Sequence, residues 1–205
     1  MRQRWLTPAK LTTAGLVGLA LIGYGVWVAH PPPSMSPLVS DIVPGPAAGD
    51  DVAPEIGTVD AIVLHAGGRG ERFRHAMEVR DRLVADGQNP VMVFMVGHEW
   101  PPARDLCGQT EPFEVLCPGL DTYDTIGEAR RLHQLATERG WRQVVAVTTS
   151  YHLRRVLYYD RRCTNLTVLG SAAPSPHNIV GLTPRVMKEM AALVVARVRR
   201  CTPAT

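Results

Sequence analysis

Residues 141–155 read Trp141-Arg-Gln-Val-Val-Ala-Val-Thr-Thr-Ser-Tyr-His-Leu-Arg-Arg155. The apolar run Val144 to Val147 has the length and β-branched content of a buried strand. Thr148, Thr149 and Ser150 form a polar turn, and His152 and Arg155 stand where a helix over Leu153 to Arg161 opens. In a parallel α/β sheet, a strand running through a turn into a helix N-terminus is where ligands bind. Hydroxyls, backbone N–H groups, an imidazole and a guanidinium converge there, a set suited to an anionic, phosphate-bearing group.

The same pattern recurs outward from this stretch. Ala61 to Leu64 is a short apolar run closed by Ala66-Gly67-Gly68, and Glu71 to Asp86 has helical spacing, with Gly87 and Pro90 as stop signals. Val91 to Val96 predicts a second strand that stops at Gly97-His98. Residues 99–120 form a loop with a short strand at Phe113 to Leu116. Thr125 to Arg139 predicts a helix ended by Gly140, Leu166 to Leu169 another strand, and Pro184 to Arg200 a last helix. In that helix Lys188 and Glu189 are expected on the solvated side, with Arg185 within reach of the cleft. Strands of this length alternating with helices imply an α/β fold: a three-layer Rossmann-like domain with a mainly parallel sheet, over residues 58–205.

Before that domain the composition changes twice. Leu11 to Ala29 carries no charge. Its 19 residues at ~1.5 Å each span roughly 28 Å, against a bilayer core of ~30 Å. Arg2, Arg4 and Lys10 lie on its N-terminal side, with Tyr24 and Trp27 near its outer end. Residues 1–30 therefore predict a cytoplasmic tail and one transmembrane helix, N-terminus inside, in a bacterial cytoplasmic membrane, with the domain extracytoplasmic. A signal peptide cut after Ala29 is the rival, and Trp27 sits where that cut wants a small residue. Residues 31–57, rich in Pro, Gly, Ala and Ser, read as an extended linker. Without the three N-terminal cations the chain has as many acidic as basic residues, so no basic field for nucleic acid is present.

Cys107, Cys117, Cys163 and Cys201 all follow the apolar segment. An even count in an exported domain favours disulfides. Of three possible pairings, local proximity favours Cys107 with Cys117 and Cys163 with Cys201. No Cys-x-x-Cys spacing supports zinc, and His65, His98 and His152, scattered after three strands, are weak metal ligands. No metal and no cofactor is expected.

Three stretches can carry chemistry. Gly67, Gly68 and Arg69 leave backbone N–H groups open at a strand end, an anion nest or simply a tight turn, with Arg69 or Arg72 adding charge. Asp124 and Thr125 are natural N-caps, and Thr125 with Glu128 has capping-box spacing; alternatively Glu128 or Asp124 faces the cleft as a general base. Ser150 caps the next helix or binds ligand. The helix dipole should keep His152 neutral, and Arg155 lies one turn further on. The catalytic set is Glu128, His152 and Asp124, and the binding set is Gly67, Gly68, Arg69, Thr125, Ser150 and Arg155.

Three blocks together resemble the YdcF/SanA/ElyC family of bacterial envelope proteins: Asp60-Ala-Ile-Val-Leu-His-Ala-Gly-Gly68, Asp121-Thr-Tyr-Asp-Thr-Ile-Gly-Glu-Ala129 and Val147-Thr-Thr-Ser-Tyr-His-Leu-Arg-Arg155. The resemblance implies a Rossmann-like fold, an N-terminal anchor and a role in peptidoglycan or surface-polymer biogenesis. It carries over to Gly67, Gly68, Thr125, Glu128, Ser150, His152 and Arg155. His65, Gly97-His98 and the lack of Asn beside Glu128 depart from the pattern. The expected partner is a phosphate-bearing small molecule or lipid-linked glycan, handled by a hydrolase or transferase. A binding module without turnover and a structural envelope protein are the alternatives.

Overall fold

The computed structural model describes residues 57–67, 70–95, 101–174 and 179–201. The elements run β1 (Ala61–Leu64), α1 (Glu71–Ala85), β2 (Val91–Phe94), α2 (Pro101–Arg104), β3 (Val115–Leu116), α3 (Thr125–Arg139), β4 (Gln143–Thr149), α4 (Ser150–Cys163), β5 (Thr167–Ala173) and α5 (Ile179–Val198). The strands form one sheet in the order β3-β2-β1-β4-β5. Every pairing is parallel, with Ala61 opposite both Val91 and Val144, and Val144 opposite Val168. This is the parallel α/β sheet that the alternating pattern predicts.

Both faces are covered, so the strands read as unbroken apolar runs rather than alternating ones. On one face Ile62, Leu64, Val145, Val147 and Leu169 pack with Ala76, Val79 and Leu83 of α1. On the other, α4 lies so close to β5 that a Cβ on Gly170 would stand 2.9 Å from a Leu157 methyl. Ile126, Ala129, Tyr159, Cys163 and Ala196 join α3, α4 and α5 in a second cluster.

Local signals fix the helix ends. Asp124 caps α3, its carboxylate accepting from the Gly127 N–H at 2.9 Å. Gly127 is required there, because a Cβ would collide with the Thr122 carbonyl. Gly140, at φ 69°, closes the same helix in the left-handed conformation that favours glycine.

Several boundaries differ from the sequence reading, and β5 runs on to Ala173 rather than ending at Leu169. Thr148 and Thr149 extend β4, and α4 starts at Ser150 without a turn between them, because β5 supplies ladder partners up to Thr149. The last helix begins at Ile179, five residues before Pro184, the residue from which a sequence reading would start it. The loop 99–120 also holds the one-turn α2.

The disulfides are Cys107–Cys117 and Cys163–Cys201, with Cα atoms 5.5 and 5.4 Å apart. The first joins the segment after α2 to the residue that follows β3; the second ties the residues after α5 to the end of α4. No helix among the described residues is long and apolar enough to cross a membrane. The apolar segment Leu11 to Ala29 and the linker up to residue 56 lie outside the described residues.

Candidate functional site

The order β3-β2-β1-β4-β5 reverses direction between β1 and β4, and the crevice outside their carboxyl ends is the position where such sheets bind ligands. Three groups of side chains gather around that edge.

The first is buried. His65, directly after β1, faces carboxylates on both ring nitrogens. Nε2 lies 2.9 Å from Asp160 of α4, and Nδ1 lies 3.4 Å from Glu128 of α3. Burial alone would lower its pKa; the fields of Asp160 and Glu128 overcome that and push it up to about 10. His65 is therefore an imidazolium at neutral pH. Burial works to raise the Glu128 pKa, but the His65 charge and the Ala66 N–H hold it below the usual carboxylate range. That N–H donates to the second carboxylate oxygen at 2.6 Å.

The second group joins the two strand ends. Arg72, in the first turn of α1, donates to the carbonyl oxygens of His65 and Ala66 and, at 3.0 Å, to the Thr149 hydroxyl. Its guanidinium fills the space beneath Gly67, where φ is 98° and a Cβ would lie 3.2 Å from Nη1. Thr149 is the N-cap of α4, yet its side chain makes no capping hydrogen bond. The first N–H groups of a helix have no acceptor within the helix and lie at the positive end of its dipole. The Ser150 hydroxyl makes no hydrogen bond among the described residues, and the buried Thr148 hydroxyl and Arg72 Nε have no partner there either.

The third group links α4 to α5. Arg155 grips Glu189 with two N–H groups, Nε to Oε2 at 2.6 Å and Nη2 to Oε1 at 3.0 Å. Its remaining Nη1 donates to the Thr125 hydroxyl at 2.6 Å. His152 Nδ1 lies 3.1 Å from Glu189 Oε2 and also 3.1 Å from Arg155 Nη2, so the carboxylate and the guanidinium both face this nitrogen. Burial lowers the His152 pKa, and the Arg155 charge adds to the effect against the opposing pull of Glu189. A neutral imidazole that donates Nδ1–H to Glu189 carries its lone pair on Nε2. Burial works to raise the Glu189 pKa, but the hydrogen bonds from His152 and Arg155, with their charges, hold it down to about 2.

These placements correct several expectations. Glu128 has both oxygens engaged and is not a free base. Asp124 is spent on the α3 cap and on an ion pair with Arg199 at 3.0 Å. Arg155 gives donors to Glu189 and Thr125. The cap of α4 is Thr149 rather than Ser150. His152 is neutral as expected, though burial rather than the helix dipole leads the effect. Glu189, expected in solvent, is 8% exposed, because Arg155 draws it inward. Lys188 is exposed as expected, and Arg185, also exposed, makes no contact with the cluster. Gly68, Arg69 and His98 lie outside the described residues. Gly67 stands past the β1 exit against the Arg72 guanidinium, while Thr125 opens α3 and Ser150 opens α4.

The sequence reading does not single out Asp160 and Glu189, and it places Arg72 only beside the glycine turn, although a signal exists. Asp160 shares its helix face with Leu153, Val156 and Leu157, and Glu189 shares one with Val186 and Leu193. A carboxylate on an apolar stripe demands a buried partner. Among the described residues no group of three or more His, Cys, Asp and Glu could hold a metal. No family model, curated protein or solved structure matches this chain.

Proposed function

We propose that this chain is a membrane-anchored, extracytoplasmic enzyme of cell-envelope biogenesis, related to the YdcF/SanA/ElyC family, acting on a phosphate-bearing or lipid-linked glycan precursor. The observation that carries this is the N-terminus of α4, where the N-cap side chain makes no capping hydrogen bond, at the β1–β4 switch point beside the Arg72 guanidinium. First-turn helix N–H groups and a buried cation form a seat for an anion before one arrives. The three family-like blocks supply β1 with its turn, the start of α3, and the β4–α4 junction, so the residues behind the resemblance also surround this seat. Two disulfides favour an oxidising compartment.

In this proposal each residue has one task. Ser150 and the first-turn N–H groups of α4 bind phosphoryl oxygens. Arg72 balances their charge. His152 Nε2 takes a proton from the attacking hydroxyl or water, with Glu189 fixing the tautomer. Glu128 is a positioning residue that holds the Ala66 peptide and the Gly67 turn. A binding module without turnover is the second reading, favoured by the full engagement of Glu128.

Turnover of polyprenyl-phosphate and nucleotide-sugar substrates by the full chain tests the proposal, with binding measured in parallel. The enzyme reading expects His152→Ala to lower turnover about 10²–10⁴-fold while binding persists. Binding without turnover in the native chain establishes the module instead, and neither binding nor turnover rejects both.

A further inference from the structure

The last helix has a second apolar face that no described residue covers. Val186, Glu189 and Ala196 of α5 point inward, Ala196 into the cluster with α3 and α4. On the outer side Met187, Ala191, Val194, Val195 and Val198 recur at helical spacing and form a stripe about 100° wide. Val194 is 65% exposed and Val198 79%. Lys188 borders the stripe on one side and Arg197 on the other, and Arg200 follows the last turn; all three are exposed. The only acid in α5, Glu189, is turned inward by Arg155. Just past the stripe Arg199 pairs with Asp124, the sequence neighbour of Tyr123, which is 72% exposed.

We propose that this face is an interfacial docking surface for an anionic lipid bilayer. An aliphatic stripe edged by cations, with an aromatic near one end, matches the headgroup–acyl boundary of such a bilayer. A second copy of the chain fits poorly. Two-fold antiparallel pairing lays each cationic edge of the stripe along the same edge of the other copy, and the one acid of α5, Glu189, is turned inward and cannot separate them. A folded protein partner is disfavoured because the stripe itself lacks Trp, Tyr and Arg anchors. The inference deepens the anchored reading and rests on it for a bilayer close at hand. The same helix would then face lipid on one side and hold Glu189 against His152 on the other.

The test uses the full chain reconstituted into vesicles of phosphatidylcholine alone or with phosphatidylglycerol. An environment-sensitive fluorophore is placed at Val194→Cys, with Glu138→Cys as the solvent-facing control. The expected result is a blue shift at position 194 in the anionic vesicles alone. The equilibrium constant for the buried state should fall about fivefold for each of Lys188→Ala and Arg197→Ala. Val198→Asp should abolish the shift without moving the thermal midpoint. A label that stays in water with both lipids overturns the inference, as does a blue shift that needs only higher protein concentration. Flotation with phosphatidylcholine vesicles reads the N-terminal anchor separately. Flotation without a shift at position 194 sinks this inference alone, whereas a shift without flotation sinks the anchor alone.

Discussion

His65 and His152 are both buried and both face carboxylates, yet they hold opposite protonation states. His65 faces two carboxylates, and the fields of Asp160 and Glu128 outweigh its desolvation, so it stays charged. His152 shares its carboxylate with Arg155, which already satisfies Glu189, so burial prevails and the ring is neutral. Burial alone does not set a histidine's charge; the unspent charge of its neighbours does. One histidine thereby becomes a fixed cation under the β1 turn, and the other a base-competent ring beside the anion seat.

The largest expected effect comes from removing one carboxylate of the fully buried pair. Asp160→Asn leaves His65 short of a counter-charge and should cost about 3–5 kcal/mol, read as a lower urea midpoint. An unchanged midpoint would mean that His65 is neutral. Cys163→Ala with Cys201→Ala should cost about 3–4 kcal/mol by the chain-entropy model. Because that bridge ties down the end of α5, hydrogen exchange in α5 should rise more than in α1.

The pH profile separates the two histidines more finely. His65, raised from 6.5 to about 10, contributes stability that is whole below pH 6.5 and is lost as pH rises toward 10. Glu189, lowered from 4.5 to about 2, contributes stability that is whole above pH 4.5 and is lost as pH falls toward 2. His152, lowered by burial, also loses stability below pH 6.5. Urea midpoints should therefore peak near pH 6.5 and decline on both sides. In His65→Leu the alkaline decline should vanish. A native profile flat from pH 6.5 to 10 contradicts a cationic His65.

The smallest effects belong to the outer group. Glu189→Gln keeps the shape but weakens charge-assisted bonds, at about 1.5–3 kcal/mol before solvent screening reduces it. Turnover should fall far more than stability does, because His152 loses the partner that fixes its tautomer. Asp124→Ala removes a cap worth about 1 kcal/mol and should leave turnover unchanged. A large activity loss there would restore Asp124 to the reacting group.

Much of the fold can be read directly from the chain. Ala61 to Leu64 and Val144 to Val147 are apolar on both faces because helices cover both, and Gly87 and Gly140 mark helix ends. The switch point follows once the strands are known to be parallel. The site is less legible, because its key contacts join residues far apart in sequence. His65 looks like an interruption of an apolar strand until Asp160, 95 residues later, is set beside it. Glu189 looks solvated because Lys188 beside it is, and only the Arg155 contact turns it inward. Thr125 and Glu128 have capping-box spacing, yet Asp124 caps the helix, so both side chains are free for partners on α4 and at the β1 exit.

The central claim is a preformed seat for an anion between the ends of β1 and β4. Crystals of the full chain soaked with tungstate, a heavy phosphate mimic, test it through the anomalous difference map. The account predicts the strongest peak within hydrogen-bonding distance of the Ser150 hydroxyl and the first N–H groups of α4. A map with no peak there, or with its strongest peak elsewhere on the surface, contradicts it.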